Sequence, residues 1–165
     1  MTGIARFMKV TFSRFAADCP DNPEAWEAVR LPRRATAGSA GYDFFAPFDI
    51  ELAPGETVTI PTGVRARIAP GWVLMLFPRS GLGFKYRVML NNTVGVIDSD
   101  YFDALNEGHI FIRLHNAGPL PLSLPAGTAF AQGVFLPYGT TEDDAAAAPR
   151  TGGLGSTSEG EMENG

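Results

Sequence analysis

The chain has 165 residues and a mass of 17.6 kDa, with 45% hydrophobic and 19% charged residues, a length that fits one domain able to bury about 70% of its unfolded surface. Its longest purely apolar run, residues 72–77, falls far short of the roughly 20 residues that a membrane-spanning helix requires. The formal charge of -5 sits in the tail: residues 1–140 hold 12 acids and 12 bases, while residues 141–165 hold six acids and Arg150, so no broad basic field exists for duplex DNA or anionic lipid and stable nucleic-acid binding is not expected.

The lone Cys19 cannot form an internal disulfide, and Arg6, Lys9 and Arg14 interrupt the apolar run of a secretory leader, which makes a cytoplasmic protein the expectation. The 19 glycines and 13 prolines follow no three-residue period and predict many turns between short elements. Residues 8–12 alternate as a strand. Residues 22–29 read as a short helix, with Pro23 at its first position behind Asn22. From residue 48 the pattern is that of an all-β domain, with short alternating or β-branched runs at 49–52, 56–60, 64–68, 72–77, 93–97, 110–114, 120–124 and 129–136. Pro54-Gly55 and Pro70-Gly71 are placed for type II turns. Val64, Ala66 and Ile68 alternate with Arg65 and Arg67, as in a half-buried strand. Residues 72–77 are apolar on both faces and have to be covered on both, by a second layer or by another subunit. After Tyr138 the composition turns to Thr, Glu, Asp, Ala, Gly and Ser, which cannot build a core. The boundaries drawn are a β domain over 1–138, its first 30 residues a variable N-terminal segment, and a flexible arm over 139–165.

Three segments carry candidate chemistry. Pro78-Arg79-Ser80-Gly81-Leu82-Gly83-Phe84-Lys85 brings two cations, a hydroxyl and two glycines together where an apolar strand ends. This suits a phosphate, which takes an arginine fork and closely approaching backbone amides. By itself it reads equally as a strand-to-turn exit. In residues 91–101 a β-branched strand runs into Asp98-Ser99-Asp100-Tyr101. If extended, Asp98 and Asp100 point to one side and need a cation, a water to orient, or solvent between them; an ordinary capped turn is as good a reading. Asp43 lies between aromatics in residues 39–45, where a loop hydrogen-bond acceptor is commoner than a metal contact. His109 and His115 form no recognised metal spacing with Cys19, and no Gly-x-Ser-x-Gly elbow exists.

Taken in order, these segments resemble the five motifs of the trimeric dUTPase family, the dUTP diphosphatases. Ser39-Ala40-Gly41-Tyr42-Asp43 is similar to the first, Pro78-Arg79-Ser80-Gly81-Leu82-Gly83 to the second and Gly95-Val96-Ile97-Asp98-Ser99-Asp100-Tyr101 to the third. Ala131-Gln132 is similar to the fourth and Gly152-Gly153-Leu154-Gly155-Ser156-Thr157 to the fifth. The resemblance, over residues 30–158, implies a distorted jelly-roll or β-sandwich of the β-clip kind, assembled as a homotrimer with shared active sites. It implies hydrolysis of dUTP to dUMP and pyrophosphate, which keeps uracil out of DNA and supplies dUMP for thymidylate synthesis.

The resemblance also assigns roles. Asp98 would orient and deprotonate the water that attacks the α-phosphorus, and Arg79, Ser80 and Gly81 would hold the phosphates, Ser80 near the bridging oxygen. Asn92 with the backbone of Val96 and Ile97 would read uracil, Tyr101 would stack on the deoxyribose, and Gln132 would add a polar contact. Arg150, Leu154, Gly155 and Ser156 would belong to an arm closing over the nucleotide. Mg²⁺ would be held mainly by the phosphates, with Asp43 reaching it through water.

Three places depart from the family pattern. Phe102 to Glu107 stand between Tyr101 and Gly108, an insertion of about five residues. Ala129 replaces an arginine three residues before Gln132, and in the fifth motif Leu154 replaces a phenylalanine that stacks on uracil while the interval from Arg150 to Gly152-Gly153 is one residue short. Leu154→Phe is therefore expected to tighten dUTP binding in calorimetry; unchanged or weaker binding would count against a stacking lid. Two other readings are a dCTP deaminase of the same fold, separated by ammonia release from dCTP, and a nucleotide-gated trimeric binding module, separated by dUTP-sensitive partner capture without turnover.

Overall fold

The computed structural model describes residues 3–146; Arg150, Leu154, Gly155 and Ser156 lie outside them. Strands dominate and all pair antiparallel. Strand β1 (Ala5–Lys9) is followed by helix α1 (Phe12–Asp18), the one-turn helix α2 (Ala25–Ala28), β2 (Arg33–Arg34), β3 (Tyr42–Phe45), β4 (Ile50–Leu52), β5 (Thr57–Pro61), β6 (Val64–Ile68) and β7 (Trp72–Pro78). Helix α3 (Ser80–Tyr86) then leads to β8 (Val88–Leu90), β9 (Gly95–Ile97), a 3-10 turn (Ser99–Asp103), β10 (Phe111–Asn116), β11 (Leu122–Leu124) and β12 (Ala129–Pro137). The largest sheet has the order β2-β3-β12-β7-β9, a second β5-β10-β8, and β1-β6 and β11-β4 pair separately.

Period-two patterning sets the core. Val64, Ala66 and Ile68 of β6, Ile112 and Leu114 of β10, and Leu74 and Leu76 of β7 are buried, while Arg67 and Arg113 between them are exposed. The other face of β7, with Val73, Met75 and Phe77, is only half-buried in the single chain. Both anticipated turns form: Gly55 and Gly71 have φ of 82° and 81°, and the Glu56 and Trp72 amides donate to the Ala53 and Ala69 carbonyls at 3.1 and 3.2 Å.

The N-terminal region differs from its sequence pattern. The strand is Ala5–Lys9, not residues 8–12, because the Thr11 hydroxyl accepts from the Arg14 amide at 3.2 Å and starts α1 at Phe12. The helix expected over 22–29 shrinks to Ala25–Ala28. These elements belong to the common core: Phe15 is fully buried, and the Trp26 indole N–H donates to the Val10 carbonyl at 2.9 Å.

His109 ties α1 to this core. It is fully buried; its Nε2 lies 2.8 Å from the Gly63 amide and its Nδ1 2.6 Å from an Asp18 oxygen. An amide only donates, so Nε2 accepts, and the Nδ1 proton goes to Asp18. Burial holds the imidazole below its ordinary value, against the opposing pull of Asp18 and Glu107; Arg14, which is paired with Asp18, adds to the lowering. The unfolded chain binds a proton near pH 6.5 that the folded chain refuses. Stability is therefore expected to be flat above about pH 6.5 and to fall below it by up to about 1.4 kcal/mol per pH unit until the folded imidazole titrates. Urea unfolding between pH 7.5 and 5.5 measures this, and constant stability across that range would contradict the neutral, buried imidazole.

Candidate active site

The first, second and fourth segments meet on the large sheet. Asp43 on β3 is the register partner of Gln132 on β12, and Gln132 in turn of Phe77 on β7. Arg79 follows β7 at once, and its Nε lies 3.4 Å from Asp43 Oδ1. Gln132 Nε2 donates weakly to the Pro78 carbonyl at 3.4 Å. Gly41 explains itself here: a Cβ on it would come within 2.6 Å of Gln132 Oε1, so any side chain would push the amide out of the cluster. Asp43 thus lies on a strand rather than in the loop its sequence neighbourhood suggests. Arg33 on β2 is the register partner of Asp43, and its guanidinium lies 5.6 Å from the Phe45 ring centre; the sequence did not single it out.

Arg79 also opens α3, whose first turn closes with the Leu82 and Gly83 amides bonded to the Arg79 carbonyl at 3.0 and 3.1 Å. Ser80 and Gly81 stand exposed in that turn. Among the described residues, no group of three or more His, Cys, Asp or Glu side chains is placed to hold a metal ion by itself. A lone carboxylate beside an arginine fits Mg²⁺ only as an outer contact, which agrees with a cation that keeps waters and takes phosphate oxygens.

The third segment builds a different place. Strand β9 pairs with β7 through Leu74↔Ile97, Met75↔Val96 and Leu76↔Gly95 and is the last strand of its sheet. Beside it opens a cleft of about 510 Å³ that includes Asn91, Asn92, Gly95, Val96, Ile97, Asn106 and Arg113 in its lining, on a floor of Leu76, Leu90 and Ile112. Every predicted base-reading residue is therefore in one cavity. Asn106, Thr59 and Arg113 were missed; the register pair Arg113↔Thr59 joins strands that no local pattern connects.

Asp98 is exposed at the mouth of β9, with an extended backbone (φ −76°, ψ 160°) that opens the 3-10 turn. Asp100 lies inside that turn, so the two acids are not on one side of an extended strand as their spacing suggested. Tyr101 is 3% exposed: its hydroxyl donates to the His109 carbonyl at 2.7 Å and accepts from Asn106 Nδ2 at 2.7 Å. Arg79, Ser80, Gly81, Asp43, Gln132, Asp98 and Tyr101 do not line the cleft of the single chain; Arg79 stands three residues past Leu76, about 10 Å along an extended chain.

Comparison with known proteins agrees with this geometry. The dUTPase family model matches residues 27–158. A deoxyuridine 5'-triphosphate nucleotidohydrolase of Lactococcus lactis subsp. lactis (strain IL1403) is 40% identical over 132 residues, 78% of this chain and 88% of that protein. One of Escherichia coli O9:H4 (strain HS) is 39% identical over 142 residues, 81% of this chain and 91% of the relative. The solved dUTPase of Streptococcus mutans superposes with a TM-score of 0.66 at 39% identity, covering 82% of this chain and 98% of the other. The described motif residues divide between the Asp43, Arg79 and Gln132 cluster, the cleft at β9 and the turn that follows it, and on matches of this length the chain belongs to the dUTPase family.

Proposed function

We propose that this chain hydrolyses dUTP to dUMP and pyrophosphate, with Asp98 as general base, in sites shared between the subunits of a homotrimer. The observation that carries the reading is the cleft at β9: an edge strand presents a row of backbone donors and acceptors, Asn92 adds an amide, and a carboxylate follows at the very next residue. Such a row pairs with uracil and leaves buried groups unpaired against cytosine, while its closeness excludes a C5-methyl. Tyr101, held by its hydroxyl, forms the wall beside the deoxyribose.

Asp98, ionised, only accepts hydrogen bonds, so it aims a water and takes its proton as the water oxygen bonds to the α-phosphorus. The bond from that phosphorus to the bridging oxygen breaks and pyrophosphate leaves. Arg79, Ser80 and Gly81 hold the phosphates, with the Ser80 hydroxyl toward the bridging oxygen where charge develops. Gln132 adds a contact; Arg150, Leu154, Gly155 and Ser156, assigned by the resemblance to the nucleotide, lie outside the described residues. Mg²⁺, when bound, would supply charge neutralisation of the triphosphate, and Asp43 would hold it through water.

Two features support shared sites: the Arg79 cluster and the cleft are separate within one chain, and the outer face of β7 is half-exposed. A second copy covers that face and brings its phosphate-binding turn to the cleft. The test is pyrophosphate release with Mg²⁺ from dUTP, dCTP, dTTP and UTP, beside a solution mass. Turnover of dUTP alone by a trimer is the expected result. Ammonia from dCTP would replace the reading with a deaminase, and dUTP binding without turnover would replace it with a binding module.

A further inference from the structure

Residues 102–107 depart most from the family pattern, and one of them, Asn106, bonds to Tyr101. Asn106 Nδ2 lies 2.7 Å from the Tyr101 hydroxyl and 3.4 Å from the His109 carbonyl, and Asn106 Oδ1 accepts from the Gly108 amide at 3.2 Å. The hydroxyl completes the chain by donating to the same His109 carbonyl at 2.7 Å. Asn106 also lines the cleft beside Asn92 and Ile97. With both ends of its amide committed inside the loop, it acts on a ligand by holding the wall rather than by reaching out. Gly108, with φ of 66°, lets the loop turn back here; a Cβ would meet the Tyr101 carbonyl at 2.7 Å.

The loop is itself braced from outside. Glu107 takes both the amide and the hydroxyl of Thr11, at 2.9 and 2.6 Å, and His109 pairs with Asp18 at 2.6 Å. Thr11 and Asp18 are the two ends of α1, so one short helix spans the two residues that flank Gly108. Arg65 closes the other side, donating to the Phe102 carbonyl at 2.7 Å with its guanidinium 3.7 Å from the Phe102 ring centre.

We propose that Asn106 is a positioning residue for nucleotide hydrolysis: it fixes the Tyr101 ring against the sugar, braced by α1, and so sets the discrimination between dUTP and UTP. The proposal rests on the reading of Tyr101 as the deoxyribose wall. A 2′-hydroxyl is excluded only while the wall stays put, and the Tyr101 hydroxyl anchors the far end of that ring.

The test compares kcat/KM for dUTP and UTP in Asn106→Ala, Tyr101→Phe, the double variant and Tyr101→Leu, with melting temperatures alongside. Asn106→Ala and Tyr101→Phe should each lower the dUTP-to-UTP ratio by about five- to tenfold, the scale of one lost buried hydrogen bond. The double variant should lose no more than either alone, because both break the same link. Glu107→Gln, which weakens the brace at Thr11 without touching the cleft, should lower the ratio in the same direction. A lower melting temperature with an unchanged ratio in Asn106→Ala would overturn the positioning role. If Tyr101→Leu admits UTP while Asn106→Ala does not, the wall stands and the clamp falls. If neither admits UTP, the wall reading fails and takes this inference with it.

Discussion

Asp98→Asn is expected to lower kcat on dUTP by about 10³-fold, within the usual range for removing a general base, while dUTP still binds. The substitution keeps the shape of the side chain and removes its capacity to accept a proton. The backbone at residue 98 is extended (φ −76°, ψ 160°) and the residue is exposed, so asparagine is accommodated without strain and the β9 cleft keeps its form. Pyrophosphate release gives the rate, and calorimetry with the unhydrolysed nucleotide gives the affinity. A kcat reduced by less than about tenfold would take the base role from Asp98, and loss of binding together with kcat would make it a phosphate or metal contact instead.

Phe15→Ala is expected to cost about 3–5 kcal/mol, the range for truncating a fully buried aromatic, although the dUTPase match begins only at residue 27. Phe15 has no exposed surface and packs on the body of the domain. Its ring centre is 6.0 Å from that of His109, and its Cδ2 would be 3.3 Å from a Cβ at Gly63. The cavity left by alanine would open between α1, Gly63 and the His109 loop. The melting temperature should drop by about 10 °C for a domain of this size. An unchanged melting temperature would make residues 5–29 an appendage rather than part of the core.

The β pattern was legible because it is local. Period-two alternation marked the strands over residues 49–68 and 110–136 to within two residues, and Pro-Gly turns marked their ends. The motif residues were legible one segment at a time, since each occupies a few consecutive positions. Helix α1 was not: it buries only Phe15, and its first residue carries the apolar signal of the preceding strand. Its capping acid, Glu107, lies 96 residues away and its C-terminal partner, His109, lies 91 residues from Asp18. Strands β2, β3 and β8 were missed as well, because no run of alternation longer than the strand itself surrounds them in the sequence.

The sequence by itself therefore determined the fold class and the family, because alternation, turn residues and contiguous motifs are encoded over a few positions. Only the tertiary structure decided how the motif residues are grouped. Asp43, Arg79 and Gln132 form one cluster while Asn92, Val96 and Ile97 form another place in the same chain. Tyr101 is held by Asn106, and α1 braces the loop that does it. Those arrangements follow from strand register and from hydrogen bonds between residues up to 96 positions apart, and register is settled by the packing of the whole core.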